Sequence, residues 1–111
     1  KSMPFFRFYA TDRVKLAGVS GVLTDRLQHA IGCPREHIVL ELIPAERVCD
    51  GRFVSEGWPY VEVSWFKRPP EMQAQVARIV SETLREIGYP DSDVYFHVLD
   101  TCNYYENGEK Q

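Results

Sequence analysis

The chain has 111 residues, of which 44% are hydrophobic and 26% are charged, and its formal net charge is −3. This length suits one domain with a modest hydrophobic core. The acidic balance and the scattered basic residues argue against a nucleic-acid-binding surface. No apolar run approaches the roughly 18 residues that span a membrane, so the sequence predicts no membrane partner.

The first residues do not form a basic segment followed by an apolar one, and we therefore expect a cytoplasmic location. The three cysteines, Cys33, Cys49 and Cys102, are too few and too widely spaced for a disulfide framework or a zinc site. We expect each of them to be a reduced, small hydrophobic residue. We also expect no metal and no cofactor.

The first half of the chain predicts a strand, a helix and a second strand. Residues 4–10 alternate in character, which is typical of a strand. Asp12 can cap a helix whose apolar residues recur at helical spacing, and Gly32 ends that helix. Residues 38–43 are rich in leucine and β-branched residues and predict a strand that Pro44 stops.

The pattern changes after this strand. Asp50-Gly51 suits a type I′ turn, so residues 46–57 predict a hairpin that leaves the main sheet. Residues 59–66 predict the next strand. Pro69-Pro70 begins a second helix with a regular apolar stripe, and residues 94–99 predict the last strand.

The two halves form an internal repeat, because both helices leave through the same Ile-Gly-x-Pro sequence. A strand–helix–strand unit of this length crosses over right-handedly and gives a parallel pair of strands. We therefore predict an α+β fold, in which a four-stranded mixed sheet carries both helices on one face. The predicted single domain covers residues 4–111, with repeats at 4–45 and 59–100, the hairpin insertion at 46–57 and a tail at 101–111.

The sheet face away from the helices is predicted to be strongly aromatic. Its residues are Phe5, Arg7, Tyr9, Val39, Glu41, Ile43, Tyr60, Glu62, Ser64, Phe66, Tyr95, His97 and Leu99. Large exposed apolar patches usually mark interfaces, so we expect other subunits to cover this face. The charged side chains then need partners, and we expect Glu41 and Glu62 to pair with Arg7.

The residues around Pro4 offer a possible catalytic group. We interpret residues 1–3 as two additional residues, Lys1 and Ser2, followed by the initiator methionine. Removal of Met3 would leave Pro4 with a free secondary amine, which is a possible general base. With Met3 in place the nitrogen is an amide and cannot accept a proton at neutral pH. In the alternative interpretation, Pro4 only starts an edge strand.

The repeat, the proline after Met3, and the segments 32–34, 38–44 and Val94-Tyr95 together resemble the tautomerase superfamily. The chain is most similar to the long-chain branch that includes macrophage migration inhibitory factor. Its tail, 103–109, also resembles a small uncharacterised bacterial family of that superfamily. The resemblance implies a homotrimer with a pocket at each subunit boundary. It also implies that an N-terminal proline, matched by Pro4, moves a proton of a keto–enol substrate.

The other pocket residues match that superfamily less closely. Cys33 stands where the long-chain branch has a lysine, and Lys67 or Arg68 could replace that lysine by holding a substrate carboxylate. Tyr95 matches a pocket tyrosine contributed by the neighbouring subunit, and His97 stands where an asparagine is usual. In the alternative interpretation these residues line no pocket. Lys67 and Arg68 are then surface charges, and His97 is a structural histidine.

Three functions remain open at this stage. The first is a tautomerase-like enzyme that acts on a small, enolisable and anionic substrate, with Pro4 as base. The second is a non-catalytic oligomeric protein of the same fold that binds a small molecule, which the loss of lysine at Cys33 favours. The third is a ferredoxin-like module, for which we expect the first and third strands side by side and no covered second face.

Overall fold

The secondary structure comes from a computed structural model, which describes residues 3–54 and 57–110. Lys1 and Ser2, which we interpret as additional residues, lie outside those ranges. Residues 55–56 of the predicted hairpin insertion and Gln111 also lie outside them. In chain order the elements are β1 (Phe5–Tyr9), α1 (Arg13–Ile31), β2 (Val39–Ile43), β3 (Arg47–Cys49), β4 (Arg52–Val54), β5 (Tyr60–Phe66), α2 (Pro70–Glu86), β6 (Asp93–Leu99), β7 (Tyr105–Glu106) and β8 (Glu109–Lys110).

The main sheet has the strand order β2-β1-β5-β6. β1 pairs with β2 and β5 pairs with β6 in parallel, while β1 and β5 pair antiparallel. Both strand–helix–strand units therefore form parallel pairs, and the predicted α+β fold with a four-stranded mixed sheet is confirmed.

The expected side-by-side placement of the first and third strands does not separate the ferredoxin-like alternative from this fold. β1 and β5, the first and third strands of the main sheet, do lie side by side. What separates the folds is the pairing inside each repeat, because a ferredoxin-like domain splits its strand–helix–strand units with an intervening strand. Here β1 contacts β2 directly and β5 contacts β6 directly, so neither unit is split.

The ends of α1 follow from its sequence. The carboxylate of Asp12 accepts a hydrogen bond from the backbone N–H of Lys15 at 2.9 Å, which satisfies one of the free donors of the first turn. Gly32 ends the helix in the left-handed conformation, with φ of 75°, and its N–H donates to the carbonyl of Gln28 at 2.8 Å. Both predicted ends are thus confirmed.

α2 begins at Pro70, where a missing N–H costs nothing, and Glu71 lies in the first turn beside the positive end of the helix. Arg26 of α1 joins the two helices by donating to Thr83 at 2.9 Å and to Glu86 at 3.0 Å. Within the described residues, neither helix is long and apolar enough to cross a membrane.

The core lies between the helices and one face of the sheet. In β1, Phe6 and Phe8 are completely buried, while Phe5, Arg7 and Tyr9 on the opposite face are half-buried. The alternation predicted for this strand is therefore confirmed. Other fully buried side chains come from β5 and from both helices: Val61, Val63, Trp65, Leu23, Leu27, Val76, Val80 and Leu84.

Two short hairpins lie outside the main sheet. Asp50 and Gly51 turn between β3 and β4 with φ of 48° and 80°, as a type I′ turn requires. Asn107 and Gly108 make a second such turn, with φ of 54° and 78°, between β7 and β8. The first hairpin was predicted, whereas the second was missed although Asn-Gly is a strong hairpin signal. The boundaries of the insertion and of the tail stay predictions.

Candidate functional site

The open face of the sheet carries rows of side chains that run across its strands in the order β2, β1, β5 and β6. The strand register places the following residues side by side: Val39, Phe5, Ser64 and His97 in one row, Glu41, Arg7, Glu62 and Tyr95 in the next, and Ile43, Tyr9, Tyr60 and Asp93 in the third. The sheet therefore brings the predicted charged and aromatic residues onto one surface.

The charges on this face pair differently from our expectation. Arg7 Nε lies 3.3 Å from Glu41 Oε1, as predicted. Glu62 pairs instead with His97, at 2.6 Å between Oε2 and Nε2. The expected pairing of Glu62 with Arg7 was wrong, because Arg7 stands between two glutamates and its side chain turns toward the one on β2. That arrangement leaves the Glu62 carboxylate to the histidine of β6.

Tyr9 and Tyr95 on the open face are held as neutral phenols. Tyr9 and Tyr60 stack with ring centroids 4.6 Å apart and planes 2° from parallel. Tyr9 Oη also donates a long hydrogen bond of 3.4 Å to Glu62 Oε1. Burial and the nearby charge of Glu62 raise the pKa of both Tyr9 and Tyr95, so these phenols keep their protons at neutral pH.

The raised pKa of Tyr9 predicts a loss of stability in alkali. The phenol ionises less readily in the folded chain than at its ordinary value of 10.0. Its contribution to stability is therefore complete below about pH 10 and is lost as the pH rises through the folded pKa. We expect Tyr9→Phe to lose less thermal stability than the parent protein between about pH 8 and pH 11, as measured by circular dichroism. The exposed Tyr105 provides the matched Tyr→Phe control, and equal losses in parent and Tyr9→Phe would contradict the assignment.

Pro4 lies directly before β1, at the end of the sheet where β5 finishes, since β1 and β5 are antiparallel. Its side chain is fully buried, Met3 is 4% exposed, and the carbonyl of Pro4 accepts a hydrogen bond from the N–H of Val39 at 3.1 Å. In the chain with Met3 present, the nitrogen of Pro4 is an amide.

Lys67 and Arg68 follow β5 directly and so lie at the same end of the sheet as Pro4. The guanidinium of Arg68 lies over the ring of Trp65, 5.5 Å from its centroid. Arg68 Nε and Trp65 Nε1 are both buried without a hydrogen-bond partner among the described residues. Lys67 is exposed. This end of the sheet thus contains unsatisfied donors, which an anionic group could satisfy.

Tyr95 and His97 are separated from Pro4 within one chain. Both lie on β6, and β5 stands between β6 and β1. Neighbouring strands are ~4.8 Å apart, so the backbones of β6 and β1 are about 10 Å apart. Tyr95 and His97 contact each other edge to face, with ring centroids 5.8 Å apart. A single chain therefore forms two groups of candidate site residues, one around Pro4 and one on β6.

The tail packs against the end of the sheet at which Pro4 lies. Tyr104 packs edge to face against Phe66, with centroids 5.2 Å apart. This contact lies within one chain. Cys102 lies in the same tail, where a hydrogen bond to Asp100 raises the pKa of its thiol and keeps it protonated at neutral pH.

A broad groove among the described residues lies elsewhere. It has a volume of about 1220 Å³ and runs between the β3–β4 hairpin and the start of α1, at the opposite end of β1 from Pro4. Its lining includes Ile43, Arg47, Phe53 and Tyr89 and none of the predicted site residues. Within residues 3–54 and 57–110, no group of three or more His, Cys, Asp or Glu side chains is placed to hold a metal.

Residues 3–110 match the family described as "Domain of unknown function (DUF1904)". No curated protein matches the chain. The crystal structure of a DUF1904 domain from Sebaldella termitidis ATCC 33386 is 26% identical with a TM-score of 0.86, and the match covers 96% of this chain and 97% of that one.

Two further structures define the fold. A protein of unknown function from Vibrio cholerae O1 biovar eltor str. N16961 is 26% identical with a TM-score of 0.87, over 99% of this chain and 88% of that one. A wild-type fused 4-OT, described as an asymmetric trimer, is 18% identical with a TM-score of 0.79, over 96% and 94%. The resemblance to the tautomerase superfamily is thus confirmed for the fold, whereas the branch of macrophage migration inhibitory factor stays a prediction.

Proposed function

We propose that this chain, which belongs to the DUF1904 family and has the tautomerase fold, is a tautomerase-like enzyme for a small enolisable carboxylate. Its general base is the amine of Pro4 after Met3 has been removed. The observation that carries the proposal is that Pro4 and the unsatisfied donor of Arg68 lie at one end of the sheet. A base and a carboxylate anchor are the two groups that this reaction needs first.

The chemistry of Pro4 suits proton abstraction from carbon. An α-amino group titrates near pH 8 in water, so a small environmental effect is enough to make it a base at neutral pH. Burial and neighbouring cations both favour the neutral form of an amine. Pro4 is buried, and Lys67 and Arg68 supply the cations at its end of the sheet.

Arg68 is the proposed anchor for the substrate carboxylate. Its guanidinium is already held over the Trp65 ring, so little side-chain entropy remains to be lost on binding. A planar guanidinium can hold a carboxylate through two parallel hydrogen bonds. Lys67 is exposed and would attract the anion without fixing its orientation.

The proposed assembly is a homotrimer, and the fused 4-OT described as a trimer supports it by similarity of fold. The aromatic open face of the sheet also supports it, because this surface is too apolar to remain in water. In such an assembly, Tyr95 and His97 belong to the pocket of a neighbouring subunit, as the long-chain branch implies. Their separation from Pro4 within one chain agrees with that role.

The test compares three proteins: one beginning at Pro4, one that retains Met3, and a Pro4→Ala variant beginning at that alanine. We expect the first to catalyse a phenylpyruvate keto–enol conversion, followed by ultraviolet absorbance. Retention of Met3 should lower the rate at least about 10²-fold, because an amide accepts no proton. The Pro4→Ala protein keeps a primary amine and should lie between the two.

A matched pair of anchor variants accompanies this test. Arg68→Ala should raise KM strongly, whereas Lys67→Ala should have a small effect because that side chain is exposed. Equal rates for the three N-terminal forms would rule out Pro4 as the base.

A second candidate is a protein of the same fold that binds a carboxylate without converting it. The burial of Pro4 beneath Met3 favours this function, because an amide nitrogen so placed does no acid–base chemistry. It predicts that phenylpyruvate changes the fluorescence of Trp65 in the chain that retains Met3, with no turnover in any form. Arg68→Ala should abolish that change.

A further inference from the structure

The open face of the sheet contains a carboxylate and an imidazole in close contact. His97 Nε2 and Glu62 Oε2 are 2.6 Å apart, so the imidazole and the carboxylate are within hydrogen-bond reach of each other. The side chain of Glu62 is 18% exposed and that of His97 is 57% exposed. A small molecule that approaches this face therefore meets the imidazole first, with the carboxylate behind it.

Glu62 is itself held in position. Its second oxygen, Oε1, accepts the long hydrogen bond from Tyr9. Arg7 lies opposite Glu62 in the strand register but directs its Nε to Glu41. The carboxylate thus has one oxygen for the tyrosine and the other for the histidine, so its orientation is fixed from two sides.

The titratable and charged groups around His97 come from three strands. Tyr95, on the same strand, contacts the imidazole edge to face. On β5 the nearest such group is Glu62, and Ser64 is the uncharged residue directly opposite His97. On β1 they are Tyr9, which donates to Glu62, and Arg7, which pairs with Glu41 on the far side of β1 from His97.

We propose that Glu62 and His97 form an acid–base dyad in which the protonated imidazole gives a proton to the substrate oxygen. His97 is the catalytic residue of the pair, and Glu62 is a positioning residue. The inference rests on the proposed function, because Pro4 supplies only one of the two proton positions that a keto–enol conversion needs.

The proton and electron movements balance. Pro4 takes a proton from the carbon next to the carbonyl, that C–H bond breaks, and a carbon–carbon double bond forms. The carbonyl π electrons move to oxygen, which takes a proton from Nδ1 of His97, the ring nitrogen that Glu62 does not hold. The amine then releases its proton to water and the imidazole regains one, so the net reaction is an isomerisation.

The dyad acts on a pocket that it does not share with its own Pro4. The strand of His97 is two positions from β1, about 10 Å away, so His97 would serve the pocket of an adjacent copy. The reaction then needs groups from two chains, which links activity to assembly.

The experiment measures pH–rate profiles of phenylpyruvate conversion with the protein beginning at Pro4. His97→Asn should lower kcat about 10²-fold or more, with little change in KM, and should remove the fall in rate on the alkaline side of the profile. Glu62→Gln should lower kcat less and should leave KM near that of the parent, because the imidazole stays on β6 but loses the carboxylate that orients it. The exposed His29 on α1 provides a matched control, since His29→Asn should leave the profile unchanged.

The outcomes separate this proposal from the proposed function. If the protein beginning at Pro4 is active and His97→Asn keeps both the rate and the alkaline fall, the dyad is ruled out while the function stands. If that protein and all variants are inactive, the proposed function and the dyad fall together. His97→Gln and light scattering serve as checks on folding and assembly. A variant of native mass and melting temperature that loses only kcat and the alkaline fall supports the proposal.

Discussion

Tyr95→Lys is expected to convert the proposed trimer into single chains of about 12.9 kDa. Tyr95 lies on the open sheet face and is 42% exposed in one chain. Assembly would enclose an introduced ammonium group, and Glu62 beside it already has both oxygens occupied by Tyr9 and His97. Enclosing an unpaired charge costs several kcal/mol, and a trimer would incur this cost in each of its interfaces. Light scattering with size exclusion at fixed protomer concentration measures the outcome.

The matched control is Val14→Lys on α1, where a valine is 74% exposed and faces away from the sheet. This variant should keep the mass of the parent protein, because its lysine stays in water. Two outcomes would contradict the proposed interface: a parent protein that is already a single chain, or a Tyr95→Lys variant that remains assembled. Both variants should retain the circular dichroism spectrum of the parent, since neither changes the core.

The elements of this fold could be predicted because their signals are local. The alternation of β1, the cap at Asp12 and the turn at Asp50-Gly51 each depend on a few neighbouring residues. The parallel pairing within each repeat follows from the helix that joins its two strands, and this connection is also visible locally in the sequence. The Asn107-Gly108 turn carried the same kind of signal as Asp50-Gly51 and was missed only because the tail was interpreted by resemblance.

The pairing of the charged residues could not be predicted, because it depends on which strands become neighbours. Arg7 has a glutamate opposite it on each side, Glu41 on β2 and Glu62 on β5. Arg7 pairs with Glu41, whereas Glu62 pairs with His97 of the far strand. Sequence alone gives the face on which these side chains lie, but not the diagonal contact between β5 and β6 that produces the dyad.

The accessibility of Pro4 depends on groups beyond the strand it precedes. The same residue is a buried amide when Met3 is attached and an amine when it is not. The unsatisfied donors of Arg68 and Trp65 were likewise outside the reach of sequence reasoning, because they arise where the chain turns from β5 into α2. These features of the candidate site therefore required coordinates.

Phe8→Ala is expected to destabilise the folded chain by about 3–5 kcal/mol, the range for removing a fully buried aromatic ring. Phe8 has no exposed surface and lies on the helix-facing side of β1, between Leu42 and Val61 in the strand register. Because the sheet and both helices meet at this layer, little relaxation is available to fill the cavity. The free energy of folding of an ordinary domain is only about 5–15 kcal/mol, so this one change removes a large share of it.

Phe53→Ala makes the same chemical change at a ring that is 77% exposed on β4. Its effect should stay within about 0.5 kcal/mol, because no cavity forms and little apolar surface returns to water. Urea unfolding at one fixed protomer concentration compares the two variants, since assembly would make stability concentration-dependent. A similar cost for both substitutions would mean that the layer between the sheet and the helices is not the core. A cost near zero for Phe8→Ala alone would place that ring at the surface and would invert the faces of β1. Glu62 and His97 would then no longer lie together on the open face of the sheet.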